Sequence, residues 1–521
     1  MLRVGQIDPP GATASIDLYG ARGETVDAQV VVQGPAAGLT GLNVSASALT
    51  GPRGATIPAS AITLYREHYV AVTGTANYGN GSNPPLGSGT YPEPLIPFDD
   101  PETGSPLCGT AAVLKACNAS VSAGQNQPYW IDISIPRGPN SLPGVYTGSL
   151  SITSKQGEVT IPVSLTVWNF ELPVQPSELS LWSLWPPGPG NTTATLARAL
   201  MRNKVMGWFD EAANAASDAH SFGLNRSGLE GYYRVLIQCD GTHPNLPSGT
   251  QIEAAAANFP MNLELDFYVG DELNECPNAF PVLRTLADSV HVAGGRIKTI
   301  MTAETPQIGL FNKGTKQSAI DHWVLLVSVQ KAHSLPFVSD RNLWSPAGRS
   351  DLWASSRSDL WTYTSCNTGL GNTPEWMIDY PPINERIQAG FLNWTQGAKG
   401  ILYYRSDGWT AGNTLNSWNN VNTTACGGGL GRPGDGIFLY PPGPIASTES
   451  APGIRMKAVR DGIQDYEYAQ LLQGLGKVEF LDSVLIPIAR GWTNWTRDPD
   501  AIENARLKLG QQLDQLSPSQ E

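Results

Sequence analysis

Alternation of apolar and polar positions dominates the first third of the chain. Runs with a period of two residues recur between turns rich in Gly, Pro and Asn, at residues 25–34, 61–72, 128–136, 144–153 and 158–170. A period of two is typical of β-strands, and no helical period interrupts the series. We therefore predict a β-sandwich over residues 1–172. We expect the long stretch 74–127 to project from it toward a neighbouring domain.

A Pro-rich segment at 171–178 separates this region from residues with a different pattern, in which strand-like and helix-like segments alternate. Strand-like apolar runs follow at residues 179–186, 232–238, 263–272, 296–304, 335–340, 359–367 and 400–409. Helical candidates are residues 193–205, 279–294 and 317–333, followed by C-terminal helices at 451–476 and 499–516. Alternating strands and helices indicate parallel βαβ units. We therefore predict a (β/α)8 TIM-like barrel with C-terminal helices over residues 179–521. A doubly wound sheet is the alternative, but its glycine fingerprint is absent from the sequence.

Composition and charge exclude several classes of binding partner. The 521 residues include 33 Lys and Arg against 46 Asp and Glu, a net charge of −13, and only 15% are charged. An acidic chain is a poor match for nucleic acid or an anionic membrane surface. The sequence has no apolar run of membrane-spanning length, and no cysteine spacing typical of structural zinc. We predict no cofactor and no metal.

Six cysteines in a low-charge chain with 15 Trp favour disulfides and export. The N-terminal residues lack the apolar run of a signal peptide, so we predict a secreted or periplasmic protein whose leader is absent from this sequence. The predicted pairs are Cys108–Cys117 across a short loop, Cys366–Cys426 between two loops of one barrel face, and, by elimination, Cys239–Cys276. The alternative is six buried free thiols.

Candidate chemistry lies where predicted strands end, because barrel active sites form at the carboxyl ends of their strands. Asp271 and Glu272 close an apolar strand, and Gly270 before them permits a bend that turns both carboxylates toward the barrel mouth. Such a pair can supply a general acid. The alternative is a helix start with Asp271 as N-cap. Other strand-end carboxylates could complete a two-carboxylate glycosidase site: Asp240, Glu304, Asp340 and Asp407.

Aromatic residues crowd the same strand ends. The rings are those of Trp182, Trp185, Trp361, Tyr363, Tyr403, Tyr404, Trp409 and Trp418. Aromatic rings at a site mouth suit sugars, whose C–H faces stack on them. Core filling and packing between domains are the alternative for each ring. Trp130 and Trp168 fall in sandwich strands and are predicted to be core residues.

Several of these motifs resemble the glycoside hydrolase family 123 catalytic domain, within the wider DUF4091 group. They are WNFELP at the domain boundary, DFYVGDE, LWTYTSCNTG, GILYYRSDGW, GDGIFLYPP and, most specifically, IRMKAVRDGIQDYEYAQLL. The preceding residues look like the module before that barrel. The characterised members of this family are β-N-acetylgalactosaminidases, so the resemblance implies retention by substrate-assisted catalysis. The sequence after the acidic pair, residues 273–277, departs from the usual family pattern. The resemblance therefore does not identify the sugar that the protein would act on.

By this resemblance Asp271 would orient the substrate's acetamido group, and Glu272 would be the general acid and base. Tyr363 and Tyr403 are candidates to hold the acetamido group. Trp361 and Trp409 are candidates to line the pocket around the sugar ring. Trp185 and Asp407 complete the predicted substrate-binding set.

The leading hypothesis is a glycoside hydrolase that cleaves β-linked N-acetylhexosamine, with N-acetylgalactosamine as the first candidate, in an oligosaccharide or glycoconjugate. A conventional two-carboxylate glycosidase acting on a neutral glycan is a second hypothesis. A non-catalytic carbohydrate-binding protein is a third.

Overall fold

The computed structural model describes most of the chain. The described residues are 3–11, 15–76, 80–183, 193–207, 219, 222–229, 237–303, 307–310, 318–327, 358–365, 371–409, 416–419, 421 and 432–517.

Eleven strands form two packed sheets in the N-terminal part. They are β1 (Ile16–Arg22), β2 (Thr25–Gln33), β3 (Leu39–Ala46), β4 (Leu49–Thr50), β5 (Thr56–Ile57), β6 (Ile62–Val72), β7 (Gly89–Pro97), β8 (Ala119–Val121), β9 (Asn126–Ser134), β10 (Gly144–Ser154) and β11 (Gly157–Glu171). One sheet has the order β1-β11-β10-β3-β8, with β4 and β5 at its side, and the other has the order β2-β9-β6-β7. All neighbours are antiparallel except β1 and β11.

The period of two residues explains this sandwich. Val26 and Val30 of β2 face Leu150 and Val163 of the other sheet in one buried cluster. The five predicted strands are confirmed to within a few residues, and β1, β3 and β7 are strands that the pattern did not reveal.

A parallel sheet follows the sandwich. Its strands are β12 (Leu179–Trp182), β13 (Arg226–Gly228), β14 (Glu264–Asp271), β15 (Ile297–Ala303), β16 (His322–Leu326), β17 (Asp359–Tyr363) and β18 (Gly400–Tyr403). Their order, β12-β18-β17-β16-β15-β14-β13, puts the first strand beside the last and curls the sheet toward a barrel. A closed TIM barrel is not shown, because within the described ranges β12 and β13 do not pair and few helices lie between the strands.

Eight α-helices are described. They are α1 (Thr193–Arg202), α2 (Gly249–Ala256), α3 (Phe280–Ala293), α4 (Ile383–Ile387), α5 (Asn393–Thr395), α6 (Ile454–Gly474), α7 (Val478–Leu485) and α8 (Pro499–Leu516). A π-helical turn, Gln388–Leu392, joins α4 to α5. Two-stranded pairs complete the C-terminal part: β19 (Leu439–Tyr440) with β20 (Ala451–Pro452), and β21 (Ala489–Gly491) with β22 (Asn494–Trp495). None of the helices in these ranges is long and apolar enough to cross a membrane.

The helix predicted over 317–333 is wrong where it can be tested. Residues His322–Leu326 form strand β16, and all five are buried. A strand covered on both faces is apolar throughout, so its residues also match a helical spacing. The strand predicted at 335–340 and most of the one at 232–238 lie outside the described residues.

Helix α6 fastens the C-terminal part to the sandwich through buried ion pairs. Arg455 lies 2.8 Å from Glu93 of β7, and Lys457 and Arg460 each lie 2.8 Å from Asp132 of β9. Burial raises the pKa of Asp132, but these two cations outweigh it and bring the pKa to about 2. The motif most specific for the family resemblance is therefore a structural joint.

Two tryptophans predicted to be sandwich core lie instead at the joint. Trp130 packs with Tyr65, Leu95 and Ile454 of α6. Trp168 belongs to a cluster built mainly from the C-terminal helices. Both rings are buried, but their partners lie outside the cluster between the two sheets.

Two disulfides support the prediction of an oxidised chain. Cys108–Cys117 and Cys239–Cys276 are bonded as predicted. Cys366 and Cys426 lie outside the described residues. The stretch 74–127 packs on the C-terminal part as expected, where Asn83 Nδ2 donates to Asn384 Oδ1 at 2.7 Å and Thr448 N donates to Asp100 Oδ2 at 2.6 Å.

Candidate active site

Strand β14 delivers the acidic pair through a β-bulge. Tyr268 pairs with Ile300 of β15 and Gly270 pairs with Met301, so Val269 is the extra residue. Without the bulge, Tyr268 and Asp271 would point to opposite faces of the sheet. With it, both point to the face lined by Ile300, and Asp271 pairs with Thr302.

Two hydroxyl groups orient Asp271. Tyr268 Oη and Thr302 Oγ1 each donate to Asp271 Oδ1 at 2.8 Å, and the two hydroxyl oxygens lie 2.5 Å apart. Both hydroxyls bind Oδ1 and neither binds Oδ2. The carboxylate is solvent-exposed, so Oδ2 can meet a ligand at the carboxyl edge of the sheet.

Glu272 is turned to the same face by an unusual backbone. Its φ of 48° lies in the left-handed region, which costs a non-glycine residue energy and recurs at functional sites. Its N–H donates to the Thr302 carbonyl at 3.0 Å, and its Oε1 accepts a hydrogen bond from Tyr363 Oη at the end of β17. The pair is thus held by three strands of the sheet.

This geometry corrects two expectations. Gly270 does not adopt a left-handed conformation; the turn comes from the bulge and from Glu272 itself. The alternative of a helix starting at Asp271 is wrong, because the next helix, α3, begins at Phe280.

Tyr363 is the predicted binding residue that meets the acidic pair. Its ring is 3% exposed and belongs to the interior cluster of the sheet, with only the hydroxyl reaching Glu272. Trp361 lies on the same face but two residues deeper. It is fully buried, 5.3 Å from the Arg226 guanidinium, and so fills the interior rather than the mouth.

Three further predicted residues lie on the other face or beyond it. Tyr403 is fully buried outside the sheet, where its hydroxyl donates to Asp435 at 2.6 Å. The Trp409 indole donates to the Leu439 carbonyl at 3.1 Å. Asp407 is buried, 3.5 Å from the Arg405 guanidinium. The structure does not bring these three to the acidic pair.

Among the remaining candidate carboxylates, Asp240 is the one that lies in the described part of the chain. Asp240 is an exposed turn residue whose Oδ1 accepts the Thr242 N–H at 2.8 Å. Trp185, Glu304 and Asp340 lie outside the described residues.

Sequence reasoning missed Tyr268 and Thr302. Thr302 is the penultimate residue of β15, so a search of strand ends that included hydroxyls would have found it. Tyr268 is three residues before Asp271, on the opposite face by simple alternation, and only the bulge reveals it.

The arrangement can perform proton transfer beside an oriented carboxylate. Glu272 can give and take a proton, and Asp271 can accept a hydrogen bond or face a developing positive charge. In the part of the chain that the structure describes, no group of three or more His, Cys, Asp or Glu side chains could hold a metal ion.

Comparison with known proteins supports the resemblance read from the motifs. Residues 8–154 match the family model for the glycoside hydrolase 123 N-terminal domain. No curated protein matches the sequence.

Among solved structures, a family 123 glycoside hydrolase from Clostridium perfringens is similar over 97% of this chain and 94% of its own, with 13% identity and a TM-score of 0.60. A family 39 glycoside hydrolase from Bacteroides cellulosilyticus WH2 covers 78% of this chain and 77% of its own, with 12% identity and a TM-score of 0.30, too low for a shared overall fold. The match of the N-terminal domain and the fold shared with the clostridial enzyme confirm the resemblance to glycoside hydrolase family 123.

Proposed function

We propose that this protein is a glycoside hydrolase that cleaves β-linked N-acetylhexosamine, with N-acetylgalactosamine as the first sugar to test. The observation that carries the proposal is the adjacent pair Asp271 and Glu272, which is exposed at the carboxyl edge of the parallel sheet and fixed there by hydroxyl groups of three strands. The clostridial enzyme of similar fold is described as acting in glycolipid glycan hydrolysis, which supports a glycoconjugate substrate.

The first chemical step breaks the glycosidic bond. The carbonyl oxygen of the substrate's 2-acetamido group attacks the anomeric carbon, while Glu272 donates its proton to the departing glycosidic oxygen. The products are the aglycone alcohol and an oxazolinium ion. Asp271 Oδ2 accepts the acetamido N–H and stabilises the positive charge that develops on this group.

The second step restores the enzyme. Glu272, now ionised, takes a proton from a water molecule whose oxygen attacks the anomeric carbon. The bond to the acetamido oxygen breaks, and the sugar leaves with its original configuration. The acetamido oxygen attacks one face of the anomeric carbon and water attacks the other. These two inversions together retain the configuration.

The hydroxyl groups around the pair suit these separate roles. Both Tyr268 and Thr302 donate to one oxygen of Asp271, which fixes the direction of the other. Among the described residues, the side-chain hydroxyl of Tyr363 binds Oε1 of Glu272, which leaves Oε2 for the glycosidic bond. A conventional mechanism would need a nucleophilic carboxylate about 5 Å across the sugar from the acid. The described candidates Asp240 and Asp407 have other partners.

The cellular location is part of the proposal. Two disulfides suit an oxidising compartment, so we infer that the protein acts outside the cytoplasm, where glycoconjugates are accessible.

The test is a product assay on paired substrates with and without a 2-acetamido group. We expect aryl N-acetyl-β-galactosaminide to be hydrolysed and aryl β-galactoside to be inert. Glu272→Gln should lose activity on substrates with a poor leaving group, and Asp271→Asn on all. Equal turnover of the two sugars would reject the substrate-assisted mechanism, and full activity of Glu272→Gln on a natural disaccharide would reject the site.

A further inference from the structure

A cavity lies where the sandwich meets the C-terminal helices. It has a volume of about 300 Å³ and is bounded by β1, β2 and the end of β11 on one side and by α4, α6 and α8 on the other. This volume is at the lower end of those that hold small ligands. No residue of the parallel sheet lines it, so it is separate from the acidic pair.

An aromatic surface forms one side of this cavity. Tyr19 of β1 is 44% exposed, although it is a large ring, and it lies nearly parallel to Trp168, with 16° between the planes and 5.9 Å between the ring centres. Trp168 is itself fixed from behind, because a Cβ on Gly510 of α8 would come within 2.9 Å of its indole nitrogen. The rings therefore present a flat, rigid surface to the cavity.

Polar groups form the opposite side. Asp461 of α6 and Asn504 of α8 are among its lining residues there, and Asp17 lies on β1, two residues from Tyr19. Their carboxylate and amide groups can bind neighbouring hydroxyls. Gln464 of α6 fixes this wall, because its side chain exchanges two hydrogen bonds of 2.9 Å with the backbone of Thr25 in β2. The cavity is therefore formed before any ligand arrives, which reduces the entropy lost on binding.

The charges select against anionic ligands. The ionisable groups of the lining are Asp17, Asp27, Asp461, Glu503, Arg386 and Arg506. Both guanidinium groups are already engaged with carboxylates: Arg386 lies 2.7 Å from Asp465, and Arg506 lies 2.5 Å from it. Asp27 and Asp461 are in turn paired with Arg460, at 2.8 and 2.9 Å. The described lining residues therefore offer no unpaired guanidinium to a phosphate, sulfate or uronate, and the exposed carboxylate of Asp17 would repel it.

We propose that this cavity is a second, non-catalytic sugar-binding site for one residue of a neutral glycan, stacked on Tyr19 and hydrogen-bonded by the facing carboxylates and amides. The cavity has a flat aromatic surface, a polar side, a suitable volume and no unpaired cation among its described lining residues. Together these features fit an uncharged sugar ring. The site would hold a glycan chain where the sandwich meets the C-terminal helices. Its binding does not depend on the chemistry of Glu272.

The test measures binding at this site alone. A full-length Glu272→Gln chain, labelled with ¹⁵N in its tryptophans, is titrated with methyl β-galactoside, methyl N-acetyl-β-galactosaminide and methyl β-glucoside, and the Trp168 indole resonance is followed. Trp168→Phe assigns that resonance, and Gly510→Ala, which touches the same indole nitrogen, assigns it independently if Trp168→Phe does not fold. Galactose 6-sulfate is the anionic control.

We expect a saturable shift of the Trp168 resonance with at least one neutral glycoside and none with the sulfated sugar. Tyr19→Ala should raise the dissociation constant about tenfold, whereas Tyr19→Phe, which keeps the ring, should bind like the parent. Absence of a saturable shift with all three glycosides, equal affinity of Tyr19→Ala, or equal binding of the sulfated sugar would overturn the proposal. Hydrolysis of a small aryl glycoside should be unchanged by Tyr19→Ala, so the outcome is distinct from that of the catalytic tests.

Discussion

Replacing Tyr363 by Phe removes one hydroxyl that touches the proposed acid. Tyr363 Oη donates to Glu272 Oε1, and the ring itself is buried in the interior of the sheet. The substitution keeps the ring and its packing, so its direct effect falls on the orientation of the Glu272 carboxylate.

The size of the effect follows from the type of bond. A hydrogen bond to a charged group is worth about 1.5–3 kcal/mol. If the bond orients Glu272 during proton transfer, kcat/KM should fall by about 10- to 150-fold. We expect the loss mainly in kcat, because the hydroxyl acts on the acid and not on bound sugar.

Tyr403→Phe is the matched control. Its ring is also buried at a strand end, and its hydroxyl also donates to a carboxylate, that of Asp435, but on the other side of the sheet. Both variants lose one hydroxyl-to-carboxylate bond and should lose similar stability, measured by thermal unfolding. Only Tyr363→Phe should lose activity on a substrate with a poor leaving group, such as a natural disaccharide, because that is where protonation by Glu272 matters. Full activity of Tyr363→Phe, or an equal loss in Tyr403→Phe, would refute the placement of the site.

Three further predictions concern stability. Burial raises the pKa of Glu67 to about 8 from an unfolded value near 4.5. The contribution of Glu67 to stability is therefore complete below about pH 4.5 and is lost as the pH rises toward 8. Glu67→Gln should flatten this part of the Tm-against-pH curve, and an unchanged curve would contradict the assignment. Replacing both Cys239 and Cys276 by Ala should lower the free energy of unfolding by about 4 kcal/mol, as measured by denaturant titration, because the bond closes a loop with a sequence separation of 37. Gly510→Ala should destabilise the chain by about 1–3 kcal/mol, because its Cβ meets the Trp168 ring; a Tm at or above that of the parent would show that the helix can shift freely.

The sequence predicts the elements whose pattern is local. Alternation located five sandwich strands, and the helix at Pro499–Leu516 follows from its apolar spacing. The pair at the end of β14 was found because an apolar run stopped at two carboxylates. The pairing of Cys108 with Cys117 followed from their short separation.

Features that depend on pairing between distant residues could not be predicted. The hydroxyls on Asp271 come from a bulge whose partner is β15, about 30 residues later, and the bond from Tyr363 to Glu272 spans 91 residues. Alternation alone also cannot say which face of a strand is the interior. Tyr363 and Tyr403 both end buried strands, yet one hydroxyl reaches Glu272 and the other Asp435.

The most direct test of the account is inhibition by a thiazoline derived from N-acetylgalactosamine. This compound has the bicyclic shape of the oxazolinium intermediate and should bind only a site built to stabilise it. We predict competitive inhibition at least about 100-fold stronger than that by N-acetylgalactosamine, largely lost in Asp271→Ala. A thiazoline that binds no better than the free sugar, or equally well to Asp271→Ala, would contradict the account.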